Sequence, residues 1–455
     1  MSTQPNILFI MADQFRADYY GAAGADFVRT PSIDAIAARG TRFTRAYTSS
    51  PVCSPARISL ATGLYPFRTG ALDNQAFSPL SHTTCYQRLR DAGYRVAMVG
   101  KHDLAKSDRF KGRLGKRPLT YAYGFTDPHE TAGKMEAGKT GEPHCPYTFA
   151  LAEAGRYDSF IADYRKRAST DWIKGASHDS ILPTELYEDA YIGEYACRWL
   201  DGVDADFPWH MFVSFVGPHD PFDPPAEYGA RYRDAPVPPA IADELRNKPR
   251  WHAPRDRKLT DDEIAHTRRQ YCAEIELIDD YIGRMIETLE RRGLLHDTIV
   301  IFTSDHGEML GDHGMYTKSV AYEGATHIPL VMAGPGISAG PVAHALVSLI
   351  DLNPTVCELA GLEQQPGIDA RSLVPVLSGE RSGHRESVSI TLREFQALVT
   401  DRYKLVDSYN DLAEVYDLRN DPQELDNLVV SDETRATELL RGAFQPHHGA
   451  MGPHW

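Results

Sequence analysis

Four short apolar runs, at residues 7–11, 96–99, 211–216 and 298–302, do most to limit what this chain can become. Each has the length and character of a buried strand. Each is followed by a polar cluster: Asp13-Gln14, Lys101-His102-Asp103, His219-Asp220 and Asp305-His306. Open α/β sheets gather their chemistry at the carboxyl ends of strands. Four strand ends carrying ligand-type or acid–base residues therefore predict one shared site. Helical patterns alternate with these runs over the first three-quarters of the chain, which predicts an α/β fold.

The clearest helix starts at Thr260, where Thr260-Asp261-Asp262-Glu263 has the form of a capping box. Ile264, Tyr271, Ile275, Ile278, Ile282, Met285 and Leu289 then recur at helical spacing, and Gly293 can stop the helix. It reads as a scaffold helix without chemistry. Two segments read as long functional loops. Residues 101–117 carry seven Lys or Arg against two Asp, suiting an anion entrance or a solvated loop. Residues 218–254 hold nine prolines, which argues against helix and central strand. Beyond residue 375 the pattern shifts to short strands at 387–391, 396–400, 403–406 and 414–418. They predict a small antiparallel sheet, and hence a division into residues 1–375 and a subdomain at 376–455. The His-, Gly- and Pro-rich stretch 444–455 reads as a flexible tail.

A length of 455 residues suits one large domain plus a smaller one. The net charge of -15 disfavours nucleic acid and anionic membrane as partners. An anionic substrate would need a local positive cluster. No run approaches the roughly 20 apolar residues of a membrane span, and no secretory leader is evident. The six cysteines are widely spaced, without a zinc or disulfide pattern. The expectation is a cytoplasmic protein with reduced thiols.

Cys53-Ser54-Pro55-Ala56-Arg57 sits where Pro55 can open a helix and Gly63 can close it. Such a helix start offers backbone N–H groups and a positive dipole end to an anion. Arg57 adds a planar charged fork. By itself Cys53 could equally be a packed thiol. However, Cys-x-Pro-x-Arg resembles the sequon at which cysteine is oxidised to formylglycine, and the chain as a whole resembles the formylglycine-dependent sulfatases. That resemblance implies the alkaline phosphatase-like architecture: a large mixed, mostly parallel sheet flanked by helices, with a small C-terminal antiparallel sheet.

It also implies roles. Asp13, Gln14, Asp305 and His306, with the formylglycine oxygen at position 53, would hold one divalent cation. Calcium is expected, with manganese as the alternative because His306 lowers the site's negative charge. Gly100-Lys101-His102-Asp103 resembles the family's Gly-Lys-x-His segment. Lys101 would contact sulfate, and His102 would assist breakdown of the covalent intermediate, although Asp103 stands where the family has its histidine. Phe215-Val216-Gly217-Pro218-His219-Asp220-Pro221 resembles the segment supplying the general acid, here His219. Tyr316-Thr317-Lys318-Ser319 resembles the second sulfate-binding segment, here Lys318. His313 reads as structural or as a substrate contact. The reaction implied is hydrolysis of a small-molecule or sugar sulfate ester. A formylglycine-generating enzyme would be the maturation partner, and a homo-oligomer stays open. Two other readings stand beside this one: a formylglycine-dependent phosphonate monoester or phosphodiester hydrolase, and a binding protein with unmodified Cys53.

Overall fold

A computed structural model describes residues 4–169, 177–255 and 257–448. The expected runs form β1 (Asn6–Ala12), β3 (Arg95–Gly100), β5 (Trp209–Ser214) and β6 (Thr298–Ser304), joined by β2 (Thr41–Tyr47), β4 (Asp127–Glu130), β7 (His327–Ala333), β8 (Val342–Ala343) and β9 (Val347–Ser348). They make a nine-stranded sheet of order β4-β3-β5-β1-β6-β7-β2-β8, with β9 also on β2. The β4–β3–β5–β1–β6 half is parallel, and β7 runs antiparallel to both its neighbours.

β1 lies in the middle of the sheet and is buried along its whole length. Alternate side chains of a strand face opposite ways. Leu8 and Ile10 enter a core with Ile275, Ile278 and Ile282 of the helix Asp261–Arg291. Ile7, Phe9 and Met11 enter the other core, with Ile58 and Leu60 of the helix Cys53–Thr62. Helices thus cover both faces. The long helix has the expected capping box between Thr260 and Glu263.

β5 ends at Ser214, two residues earlier than the expected run; Phe215 and Val216 lie in the turn toward the site. The proline-rich segment does contain a helix, Ala226–Tyr232, contrary to expectation. Its prolines flank the helix: Pro225 is the N-cap, and the next proline is Pro236. The stretch between is free to form one.

The last strands, β10 (Ser387–Thr391), β11 (Phe395–Thr400), β12 (Tyr403–Ser408) and β13 (Glu414–Asp417), form a separate antiparallel sheet. Val388, Ile390 and Phe395 pack against Tyr47, Val52, Ala321 and Leu346. The terminal helix, Glu433–His448, runs into the stretch expected to be a flexible tail. Ala436 is buried and Leu439, Leu440 and Ala443 pack on the same cluster with Leu405 and Val415, which explains why the chain continues as helix. The remainder of that tail, 449–455, is outside the described residues. All six cysteines are buried free thiols. Among the described residues no helix is long and apolar enough to cross a membrane.

Candidate active site

β1 and β6 are adjacent, parallel and in register, with Ala12 opposite Ser304. The residues that follow, Asp13 and Asp305, therefore emerge side by side. Asp305 accepts from the Gln14 N–H at 3.1 Å and the His306 N–H at 2.9 Å, which fixes the carboxylate. Gln14 has φ 70, so the chain turns sharply after Asp13.

The helix Cys53–Thr62 aims its first residue at these carboxylates and closes at left-handed Gly63. Cys53 Sγ lies 3.3 Å from His306 Nε2 and 3.8 Å from an Asp13 oxygen. Arg57, four residues on and hence on the same helix face, donates to Asp305 at 2.7 Å, to Ser214 Oγ at 2.7 Å and to the Lys101 carbonyl at 2.8 Å. It also reaches Asp13 at 3.5 Å. One guanidinium thus ties together the ends of β1, β3, β5 and β6. Lys101 pairs with Asp13 and lies 3.3 Å from Asp103. Gly100 before it has φ 97, and a Cβ there would meet the Ser214 carbonyl at 1.9 Å, so this close strand crossing requires glycine.

Burial pushes the Cys53 thiol up and Asp13 adds to that, yet Lys101, Lys106 and Lys318 together hold it well below the usual thiol range. Burial also opposes charge on Asp13, but Lys101, His219, Arg57 and Lys318 keep its carboxyl well below the usual carboxylate range. Burial opposes charge on His306, while Asp305 and Cys53 raise its imidazole. Asp13 and Asp305 are both completely buried, and each is paired with Arg57.

Asp13, Cys53, Asp305 and His306 each offer one ligand atom, and these atoms lie within 4.8 Å of one another. Two carboxylates, an imidazole nitrogen and an atom from position 53 suit a divalent cation. The Gln14 side chain is held by other residues: its amide oxygen accepts from Lys318 and its nitrogen donates to Glu308. Removing Arg57 would leave Asp305 without its paired guanidinium and Asp13 still paired with Lys101. Arg57→Leu in chelator-treated protein is expected to lose about 3–5 kcal/mol of stability by urea denaturation. An unchanged midpoint would mean the acids are balanced without it.

His219 Nδ1 lies 2.6 Å from the Asp220 carbonyl and 3.0 Å from the Asp220 carboxylate. Its other nitrogen is 2.5 Å from Lys318 Nζ. The loop carrying His219 is held on both sides. Asp189 accepts from the Val216 and Gly217 N–H groups at 2.8 and 2.9 Å. Lys134 donates to the Pro221 carbonyl at 2.8 Å, and Glu274 accepts from the Asp223 N–H at 2.8 Å and from Lys134 at 2.6 Å. Glu274 is on the long scaffold helix, so that helix does position site residues. Sequence reasoning missed this because a lone Glu on an apolar helix face carries no pattern.

It also missed Glu308, two residues past His306. This buried carboxyl accepts from the Leu310 N–H at 3.1 Å, and burial with Asp220 nearby raises it to about 7. The acidic residue so close behind Asp305-His306 was the available clue.

His102 is not in the cluster. Its Nδ1 accepts from the Leu104 N–H at 2.9 Å, its Nε2 is 3.2 Å from Glu130, and its ring stacks on Phe125. Consecutive side chains diverge as the strand ends, and Asp103, at φ 55, turns toward Lys101 instead. The role given to His102 is therefore corrected to a buried partner of Glu130. Lys111 and Arg117 of the basic loop also converge on Glu130, leaving Lys101 and Lys106 to line the cleft. His313 pairs with Asp243 at 2.8 Å and stacks on Tyr322, a structural arrangement. Lys101, His219 and Lys318 open onto a cleft of about 360 Å³.

A sulfatase family model matches residues 5–362, and a model of the C-terminal part of N-sulphoglucosamine sulphohydrolase matches residues 311–441. A choline-sulfatase from Rhizobium meliloti is 31% identical, over 99% of this chain and 87% of that protein. The crystal structure of a phosphonate monoester hydrolase from Agrobacterium radiobacter superposes with a TM-score of 0.81 at 26% identity, covering 98% of this chain and 95% of that one. The structure titled BT4656 in complex with its substrate D-glucosamine-2-N,6-O-disulfate matches with a TM-score of 0.76 at 21% identity, covering 98% and 99%.

Proposed function

The chain belongs to the sulfatase family and is a sulfuric ester hydrolase, and from that premise we propose which residues carry the reaction and with what help. The observation that carries the reading is the convergence of Asp13, Cys53, Asp305 and His306 within 4.8 Å, with Arg57 and Lys101 around them. Asp13, Gln14, Asp305 and His306 hold one divalent cation, calcium in preference to manganese. Residue 53 is oxidised by a formylglycine-generating enzyme. When present, formylglycine and the cation supply a hydrated aldehyde as nucleophile and a Lewis acid.

The chain's own side chains do the rest. Arg57 pairs with Asp305 and Asp13 and fixes where their carboxylates point. Lys101 and Lys318 take the sulfate oxygens, where negative charge develops during transfer. Lys101 is held by buried Asp13, and Lys318 by Gln14. His219 delivers a proton to the departing alcohol oxygen. Asp220 orients its ring, and the Asp189 and Glu274–Lys134 contacts hold its loop.

A second reading, hydrolysis of phosphonate monoesters or phosphodiesters, is favoured by the close structural likeness to a phosphonate monoester hydrolase. One experiment separates them. Protein co-produced with a formylglycine-generating enzyme is assayed with Ca²⁺ or Mn²⁺ on 4-nitrophenyl sulfate and on a 4-nitrophenyl phosphonate. The sulfate ester is expected to have the higher kcat/KM. A higher value for the phosphorus ester would reverse the assignment of Lys101 and Lys318 to sulfate. The mass of the peptide containing residue 53 is expected to be that of formylglycine; an intact thiol in active protein would remove the proposed nucleophile.

A further inference from the structure

Among its described lining residues the cleft above the site has no Phe, Tyr or Trp, and five lysines against two carboxylates. Three of the lysines are accounted for. Lys101 and Lys318 face the sulfate position, and Lys134 is tied to Glu274 and the Pro221 carbonyl. Lys106 and Lys139 remain among the lining lysines.

Their partners are shared. Lys106 is 3.1 Å from Asp103, a carboxylate that Lys101 also approaches at 3.3 Å. Lys139 is 3.2 Å from Glu136, which Arg109 also approaches at 3.5 Å. Even with Lys101 balanced by Asp13, the carboxylates of Asp103 and Glu136 serve three further cations, Lys106 and Lys139 of the cleft and Arg109 beside Glu136. The Lys139 side chain is 43% exposed, so its ammonium can turn toward a ligand. This positive rim stands on a chain of net charge -15. A local field of that sign in an acidic protein favours anions at the cleft and nowhere in general. A cationic alcohol would instead call for aromatic faces or spare carboxylates.

We propose that the alcohol part of the substrate bears its own anionic oxyacid group, held at the mouth of the cleft by Lys106 and Lys139. The inference rests on the sulfate-ester reading given above and adds the substrate class. The group accepts hydrogen bonds from the two ammonium groups while Lys101 and Lys318 hold the sulfate that is to be cleaved. Discrimination then comes from charge at the rim.

The test uses holoenzyme and four esters: phenyl sulfate and its 3-carboxy, 3-sulfo and 3-trimethylammonio derivatives. The cationic substituent makes the better leaving group and the carboxylate does not, so a preference for the carboxylate cannot come from leaving-group ability. One or both anionic esters are expected to exceed phenyl sulfate in kcat/KM by about tenfold, the scale of one charge-assisted hydrogen bond. Which of the two leads tells carboxylate from sulfur oxyacid. The preference should shrink as salt rises. The ratio of anionic to neutral kcat/KM should fall toward one in Lys139→Gln and be kept in Lys139→Arg. Ratios at or below one for both anionic esters, or a preference for the cationic ester, would overturn the inference while leaving sulfate-ester hydrolysis standing. Turnover of a phosphonate with none of any sulfate ester would instead remove the underlying reading, and the inference with it.

Discussion

Cys53→Ala is expected to lower turnover of 4-nitrophenyl sulfate by on the order of 10⁶, the scale of losing an enzyme's nucleophile. The fold should survive. Cys53 occupies the first turn of a buried helix, and that helix is held by Arg57, by its packing on β1 and β6, and by left-handed Gly63. Removing one buried sulfur atom should cost about 1 kcal/mol, in the range of small core deletions. Purified variant with a native circular dichroism spectrum and no measurable turnover is the anticipated result. Turnover near that of the parent would exclude position 53 as the nucleophile, whatever its oxidation state.

The second large effect is predicted for His219→Ala. A positioned general acid contributes about 10²–10⁴ in rate when the leaving group needs a proton. An alkyl sulfate leaves as a strongly basic alkoxide, and 4-nitrophenolate leaves unaided far more readily. The loss in kcat should therefore approach the upper part of that range for an alkyl sulfate and be much smaller for 4-nitrophenyl sulfate. Equal losses on both esters would argue that His219 binds sulfate instead of protonating the alcohol. Its contact with Lys318 at 2.5 Å makes that a real alternative to test. Asp220→Asn, which would weaken the orienting contact at 3.0 Å, should show the same leaving-group pattern in milder form.

Much of the architecture was legible because burial on both faces of a parallel sheet forces continuous apolar runs. The runs at β1, β3, β5 and β6 were found for that reason. The capping box at Thr260 was equally readable, since it is a purely local device. The four C-terminal strands were readable from their short, turn-bounded pattern, and they pair in simple antiparallel order. Local rules misled where context supplied the deciding contact. The helix Ala226–Tyr232 forms between prolines that were read as excluding it. The helix that begins at Glu433 packs Ala436 and Leu440 on the C-terminal sheet and runs to His448, into the first residues of the stretch 444–455 that read as a tail.

For the site, the sequence by itself determined which candidate residues stand at element ends and in what order. Strand ends carry Asp13, Lys101 and Asp305, a helix start carries Cys53, and one turn later comes Arg57. Their chemistry follows from residue type and their shared location from the topology of α/β sheets. The tertiary structure alone decided facing and charge. It put His102 behind the strand on Glu130, turned Asp103 toward Lys101, and brought Glu274 from the scaffold helix under the His219 loop. These outcomes depend on backbone angles at single residues, such as φ 55 at Asp103, and on partners as far along the chain as Asp223 and Glu274, 51 residues apart. A linear pattern holds neither. The ionisation of the cluster is likewise a sum over many charges in one dry volume, which exists only once the sheet has closed over it.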